Sequence, residues 1–199
     1  MSPRKSDSRA RMIDSAVLLL RQNGATATSI DRVLAHSGAP RGSVYHHFPR
    51  GRIQLIEEAL ETAGDRMTTL IEATLQASDP IDAIDGFFAL WRDRLVESDF
   101  RSGCPIVAVA VEANEEAPHL AHTAGGVFAR WQDAFTTLFL QHGLSEERSR
   151  RLASLVIAAE EGAVVLCRAQ RSTAPMEDVA AEIHELLSHT VRTAHPSSH

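Results

Sequence analysis

The chain predicts an all-α protein of about nine helices. Apolar residues recur at spacings of three and four along most of its 199 residues, and a proline or a capping Ser, Thr or Asp precedes most of these runs. No segment shows a convincing strand pattern.

The first helix carries Ile13, Ala16, Val17 and Leu20 as one stripe. Thr28 is placed to cap a short second helix, whose inner face is Ile30, Val33 and Leu34. Gly38 suits the left-handed backbone that ends a helix, and Pro40 presets the first turn of the next, so the chain reverses within about four residues. The third helix is short and has only Val44 and Phe48 to bury; Arg41, Ser43, Tyr45, His46 and His47 point elsewhere. Pro49 pushes Phe48 out of the helical region and closes it.

A long fourth helix is expected over about 52–77, with Ile56, Leu60, Ala63, Met67, Leu70, Ile71 and Leu75 on one face and Gly64 as its one interruption. At about 1.5 Å per residue it spans close to 40 Å. Asp79-Pro80 opens a fifth, Cys104-Pro105 a short sixth, Pro118 a seventh ending near Gly143, Ser145-Glu146-Glu147 an eighth, and Pro175 a ninth running to about Thr193. The tail AHPSSH has nothing to bury and is expected to be disordered. Two domains follow, residues 1–50 and 51–199.

Charge is segregated between them. Residues 1–50 hold eight Arg or Lys against Asp7, Asp14 and Asp31, a balance of +5, whereas the whole chain carries −6 and residues 51–199 therefore −11. Solubility needs net charge but not its segregation, and binding to a phosphate backbone accounts for the basic head directly. A helix-turn-helix beside that charge makes double-stranded DNA the first partner to consider. The alternative is an ordinary helical hairpin within an all-α protein.

Cys104 and Cys167 are too few and too far apart to staple a fold or form a zinc spacing, so a reducing cytoplasm is the expected setting. No apolar run reaches the roughly 18 residues of a membrane span, and the first residues lack a signal-peptide core. No cofactor and no membrane partner are expected.

The runs T-S-I-D-R-V-L-A-H-S-G, R-G-S-V-Y-H-H-F-P and L-I-E-E-A-L resemble the amino-terminal domain of the TetR family of transcriptional regulators over about residues 8–60. An extra residue after the Phe, in F-P-R-G-R-I-Q-L, and the runs from Gly103 to Ala113 and from Glu161 to Pro175 are similar to its LmrA/YxaF-like branch. The resemblance implies an N-terminal three-helix DNA-binding domain and a C-terminal ligand-binding and dimerisation domain.

Carried over position by position, it places Thr28 and Ser29 against phosphate and Arg41 and Ser43 at base edges. Gly42 allows close backbone approach, Tyr45, His46 and His47 clamp the DNA backbone, and Arg52 stands in for a phosphate-binding Lys. His47 and Phe48 have another reading, as residues that lock the helix to the core, and for Phe48 it is preferred. The chain departs from the family at Pro40, which offers no capping hydroxyl, and Ala39 is a poor cap.

The apolar stripes of the eighth and ninth helices exceed what one core needs. A homodimer through a four-helix bundle is expected there, with Leu155, Ala159, Gly162, Ala163, Leu166, Ile183 and Leu187 at the interface. Paired heads would read a pseudo-palindromic operator with half-sites about 34 to 36 Å apart.

By the same resemblance, Phe87, Phe88, Trp91, Val107, Val111, Phe128, Trp131 and Phe135 surround a pocket for a small-molecule effector; a filled core is the competing reading for each. Arg94, Glu112, Asn114, His119, His122, Glu160, Glu161 and Arg168 are the polar candidates. The function expected is a dimeric repressor released from DNA when ligand shifts the body's population.

An enzyme is the rival class. Glu116 and His119 have a metal-carboxylate spacing, with Glu112, Glu115 and His122 nearby, but no second Glu-x-x-His exists and Pro118 interrupts this one. No nucleophile elbow, phosphate loop or dinucleotide fingerprint occurs. A DNA-binding dimer without a ligand is the third reading.

Overall fold

The computed structural model describes residues 3–74, 77, 79–112 and 118–194. Among these are nine α-helices and no strand: α1 (Pro3–Asn23), α2 (Ile30–Ser37), α3 (Val44–His47), α4 (Arg52–Thr74), α5 (Pro80–Glu97), α6 (Pro105–Glu112), α7 (Pro118–Gln141), α8 (Glu146–Gln170) and α9 (Ala174–Ala194). The all-α class and the order of helices are as the sequence predicts. Leu75, Asn114, Glu115, Glu116 and the tail from His195 lie outside the described residues. None of the helices is long and apolar enough to cross a membrane among the described residues.

The caps explain where several helices begin. Ser145 Oγ accepts from Arg148 N–H, and the Asp79 carboxylate accepts from Ile81 N–H at 2.7 Å. Each fills an orphan donor of a first turn. Pro80 follows Asp79 at a position where its missing N–H costs nothing.

Contacts group the chain into two compact units, residues 1–66 with 104–127 and residues 67–103 with 128–199. The division between these units falls within α4 and α7, since the start of α4 and the whole of α6 group with the N-terminal helices.

In the first unit, α1 packs on α2 and α6 around Met12, Ala16, Leu20, Val33, Val44, Phe48, Ile56 and Leu60, all buried. In the second, α8 packs on α9 and both pack on α5. Its core holds Phe87, Trp91, Trp131, Phe135, Phe139, Leu152, Val156, Ile183 and Leu187. After α5, Asp99 and Phe100 both take positive φ, 52° and 56°, and Arg171 caps α8 with φ 53°. Arg171 then bonds Asp99 at 2.7 Å, joining the two strained corners. That hydrogen bond and charge hold the Asp99 carboxyl below its ordinary range.

Candidate nucleic-acid interface

The helix-turn-helix is assembled from local rules with one change of cap. Ser29 is the residue before α2, in extended conformation, and its hydroxyl accepts from Arg32 N–H at 3.3 Å. Thr28, expected to cap, is buried, and its hydroxyl donates to Gly24 O at 2.7 Å, closing the loop after α1. Gly38 ends α2 at φ 65° and returns its N–H to Leu34 O, as its position predicts.

The recognition segment starts as a 3₁₀ turn over Arg41–Ser43 and continues as α3 for only four residues. Pro40 stands at its start without any side-chain cap; Ser43 Oγ donates back to Pro40 O at 2.6 Å. With no hydroxyl to fill the first-turn donors, the tighter 3₁₀ bonds take their place. Val44 and Phe48 are buried, so Phe48 is a core residue here, with the Arg9 guanidinium 5.5 Å from its ring centroid.

The other side chains face out. Arg41 and His46 are exposed, Gly42 has open space on its Cα side, and Tyr45 is 66% exposed. Arg41 pairs with Asp31 at 3.0 Å, an exposed contact that costs little to exchange for a base edge or phosphate. His47 differs: it is half-buried, and its Nε2 lies 3.2 Å from Ser8 Oγ on α1. A cleft of about 520 Å³ runs between α1 and this segment, lined by Ser8, Arg11, Gly38, Pro40, Gly42 and Ser43 among others.

The extra residue after Phe48 has a structural role. The segment Phe48 to Gly51 forms a turn, with Gly51 N–H on Phe48 O at 2.8 Å and Gly51 at φ 65°. A side chain at Gly51 would come within 3.7 Å of the Tyr45 ring, which covers it.

Arg52 is where the expectation and the geometry differ most. Its Nε donates to Thr28 O at 2.9 Å and its Nη2 donates to Ala25 O, so the guanidinium is spent on the loop before α2. Glu112, at the end of α6, completes this junction: Oε1 accepts from Ala25 N–H at 3.1 Å and Oε2 from Thr26 N–H at 2.5 Å. Burial raises the Glu112 carboxyl, but the bonds from Thr26 and Ala25 and the charge of Arg52 outweigh it and leave it below its ordinary value. The sequence reading placed Glu112 among the pocket candidates and missed this role. A side chain begun at Gly24, which takes φ 81°, would meet Glu112 Oε1 at 1.9 Å.

The sequence comparisons agree with this geometry. The family model of bacterial regulatory proteins, tetR family, matches residues 12–59, and that of the LmrA/YxaF-like transcriptional regulator C-terminal domain matches residues 80–182. The chain belongs to the TetR family of transcriptional regulators.

An HTH-type transcriptional regulator of Mycobacterium tuberculosis is 42% identical over 184 residues, covering 90% of this chain and 93% of its own. YxaF of Bacillus subtilis is 28% identical, covering 92% and 96%. Among solved structures, a TetR regulator of Legionella pneumophila superposes with a TM-score of 0.82 at 19% identity, covering 94% and 98%. CifR, solved with a 26-bp operator duplex, superposes at 0.77 with 14% identity, covering 88% and 94%; at that identity the likeness is one of fold. This TetR-family protein is therefore a DNA-binding transcriptional regulator, and the enzyme reading falls with that membership.

The remaining candidate residues divide between the units. Phe87, Phe88, Trp91, Trp131 and Phe135 are buried in the second unit, with Phe128 half-buried beside Trp131 at 5.4 Å between ring centroids. Val107 and Val111 belong to the first unit, where Val107 is half-buried and Val111 is 78% exposed. Of the dimer candidates, Leu155, Gly162 and Leu166 are exposed and Ala159 is half-buried, while Ala163, Ile183 and Leu187 are buried within the chain. Those three are spent on packing α8, α9 and α5 together.

Proposed function

We propose that this protein acts as a homodimeric repressor, released from a pseudo-palindromic operator by a small hydrophobic ligand. The observation that carries the dimer is one face of α8. Leu155, Ala158, Gly162, Val165, Leu166 and Ala169 are all exposed and fall within about 100° of arc on the helix. An apolar stripe of this length on a soluble surface marks an association site, and its small residues permit two such helices to cross closely.

Each head reads DNA through Arg41 and Ser43 in the major groove, with Tyr45 and His46 on the backbone. A single short recognition segment buries too little for strong specificity, and two-fold symmetry doubles it. Thr28 serves by closing the loop under α2, and Arg52 by holding that loop from the α4 side.

Ligand is held by the aromatic residues of the second unit, and α4 and α7, which each contribute to both units, carry its effect. A coupling of about 1 to 3 kcal/mol lowers operator affinity by about 5- to 150-fold. Sedimentation equilibrium at micromolar protein tests the assembly: a dimer is expected, and a monomer removes the paired-head reading.

A further inference from the structure

A head that docks on a duplex needs cations for its phosphates as well as side chains for its bases. The family resemblance gives that task to Arg52, but its guanidinium donates to the Thr28 and Ala25 carbonyls and lies in the field of the Glu112 carboxylate. A guanidinium held by two backbone acceptors and balanced by a carboxylate has little left to offer a phosphate.

The turn after the recognition segment carries a second arginine. Arg50 lies two residues beyond Phe48, and its side chain keeps 65% of its exposure. Its backbone N–H donates to Gln54 Oε1 at 3.1 Å, which fixes the root of the side chain and leaves the guanidinium at the surface. A side-chain carbon at Gly51, the next residue, would stand 3.7 Å from the Tyr45 ring. The turn that presents Arg50 therefore lies against Tyr45, the side chain placed on the DNA backbone above.

One contact restrains Arg50. Its Nη2 is 2.6 Å from Oε2 of Glu57 on α4. The Glu57 side chain is only 14% exposed, against 68% for Asp31, the partner of Arg41. A carboxylate withdrawn from water is less screened, so Glu57 holds Arg50 more firmly than Asp31 holds Arg41. The other oxygen of Glu57 has a second neighbour: Nε2 of His119 on α7 lies 3.7 Å from Oε1, buried and without a hydrogen-bond partner among the described residues. When Arg50 turns away, the imidazole tautomer with its proton on Nε2 can close on Glu57, so the carboxylate is not left bare.

We propose that Arg50 is the phosphate-binding cation of each head, in the place expected of Arg52, and that Glu57 holds it until a duplex phosphate displaces the carboxylate toward His119. The proposal rests on the DNA-binding reading and adds to it the residue that meets the phosphate and the group that restrains it.

The test uses a labelled duplex of mixed sequence, because binding without sequence preference comes almost wholly from phosphates. Affinity of the full-length protein is measured across a range of salt, with circular dichroism and thermal melts reporting the fold. Arg50→Ala is expected to lower the slope of log K against log salt by about 1 for each head on the duplex, and Arg50→Lys to restore it. Arg52→Gln is expected to lower Tm and leave the slope unchanged. Glu57→Gln is expected to raise affinity about 2- to 5-fold at low salt, and to have no effect in the Arg50→Ala background.

An unchanged slope in Arg50→Ala, or a slope lowered by Arg52→Gln instead, overturns the assignment. A gain from Glu57→Gln that persists without Arg50 overturns the restraint, because the carboxylate then acts only as a distant charge. The Arg50→Ala slope decides the matter even where Arg52→Gln fails to fold, since Arg50 is exposed and its loss removes no core contact. A wild type that binds no duplex at any salt overturns the DNA-binding reading itself, whereas salt-dependent binding indifferent to Arg50 overturns this proposal alone.

Discussion

Glu112 Oε1 accepts a hydrogen bond from the Ala25 backbone N–H at 3.1 Å, and the carbonyl of the same Ala25 accepts from Arg52. A single residue of the loop before the helix-turn-helix is thereby gripped from both sides, by a carboxylate at the end of α6 and a guanidinium at the start of α4. The bend that presents α2 depends on groups 87 and 27 residues away in sequence.

Replacing Glu112 by Gln removes the charge and weakens both backbone bonds. Glu112 is largely exposed to solvent, so screening reduces the loss to about 1 kcal/mol at pH 7, or about 2 to 4 °C in Tm. The folded-state pKa is depressed, so the stabilisation is present above the ordinary value of 4.5 and fades as pH falls through the folded value. Thermal melts of wild type and Glu112→Gln are expected to differ at pH 7 and converge in acid; a constant difference would show that charge is not the cause.

Gly24 and Glu112 are expected to be coupled. Gly24→Ala forces a methyl against Glu112 Oε1 and strains a backbone at φ 81°, costing about 1 to 2 kcal/mol. Glu112→Ala in the same chain removes the clash but not the strain. A double-mutant cycle is expected to give less than the sum of the single losses, and strict additivity would place the two groups apart.

At the DNA surface, Arg41→Ala is expected to relax sequence preference, by about 1 to 3 kcal/mol at one base position, whereas Tyr45→Phe weakens all duplexes alike. Asp31→Ala frees Arg41 from its exposed pair and should raise affinity for DNA of any sequence at low salt. Competition binding against operator and random duplexes separates these effects.

The Gly38 bend, the short recognition segment and the burial of Phe48 were legible in the sequence because each follows from residues within a few positions, whereas the cap of α2 was expected at Thr28 and stands at Ser29. Thr28 and Ser29 were adjacent hydroxyls of equal merit as caps, and only the tertiary loop, which draws Thr28 toward Gly24 O, separates them. Arg52 and Glu112 were legible as charged residues but not as partners, since the α6 contact is long-range. On α8 the 3/4 spacing found apolar stripes without saying which edge faces out. Ala163 faces inward, while the neighbouring Gly162 and Leu166 face outward.

Gly162 has open space where a side chain would stand, so Gly162→Leu is expected to leave the fold of one chain intact. It would keep two α8 helices from crossing closely, as Leu166→Lys would by placing charge in the seam. Both variants are expected to weaken the dimer at least about tenfold with unchanged helicity, measured by sedimentation and circular dichroism. Unchanged association would move the interface off this face.

Glu160→Gln is expected to stabilise the protein at neutral pH. Burial, with the charge of Glu161, raises the Glu160 carboxyl well above its ordinary value, so the wild type is most stable below the unfolded value near 4.5, and stability is lost as pH rises toward the folded value. Over that interval the variant should gain steadily on the wild type as pH rises, read from urea denaturation at several pH values. A gap that does not depend on pH would mean Glu160 finds a partner in solution.

Two heads of this TetR-family protein are expected to read DNA as a symmetric pair. Selection of bound duplexes from a random-sequence pool by the purified protein at moderate salt tests it most directly. Enrichment of a pseudo-palindrome whose half-site centres lie about 34 to 36 Å apart is expected, lost together with dimerisation in Leu166→Lys. Enrichment of a single asymmetric half-site, retained by the dissociated variant, would contradict it.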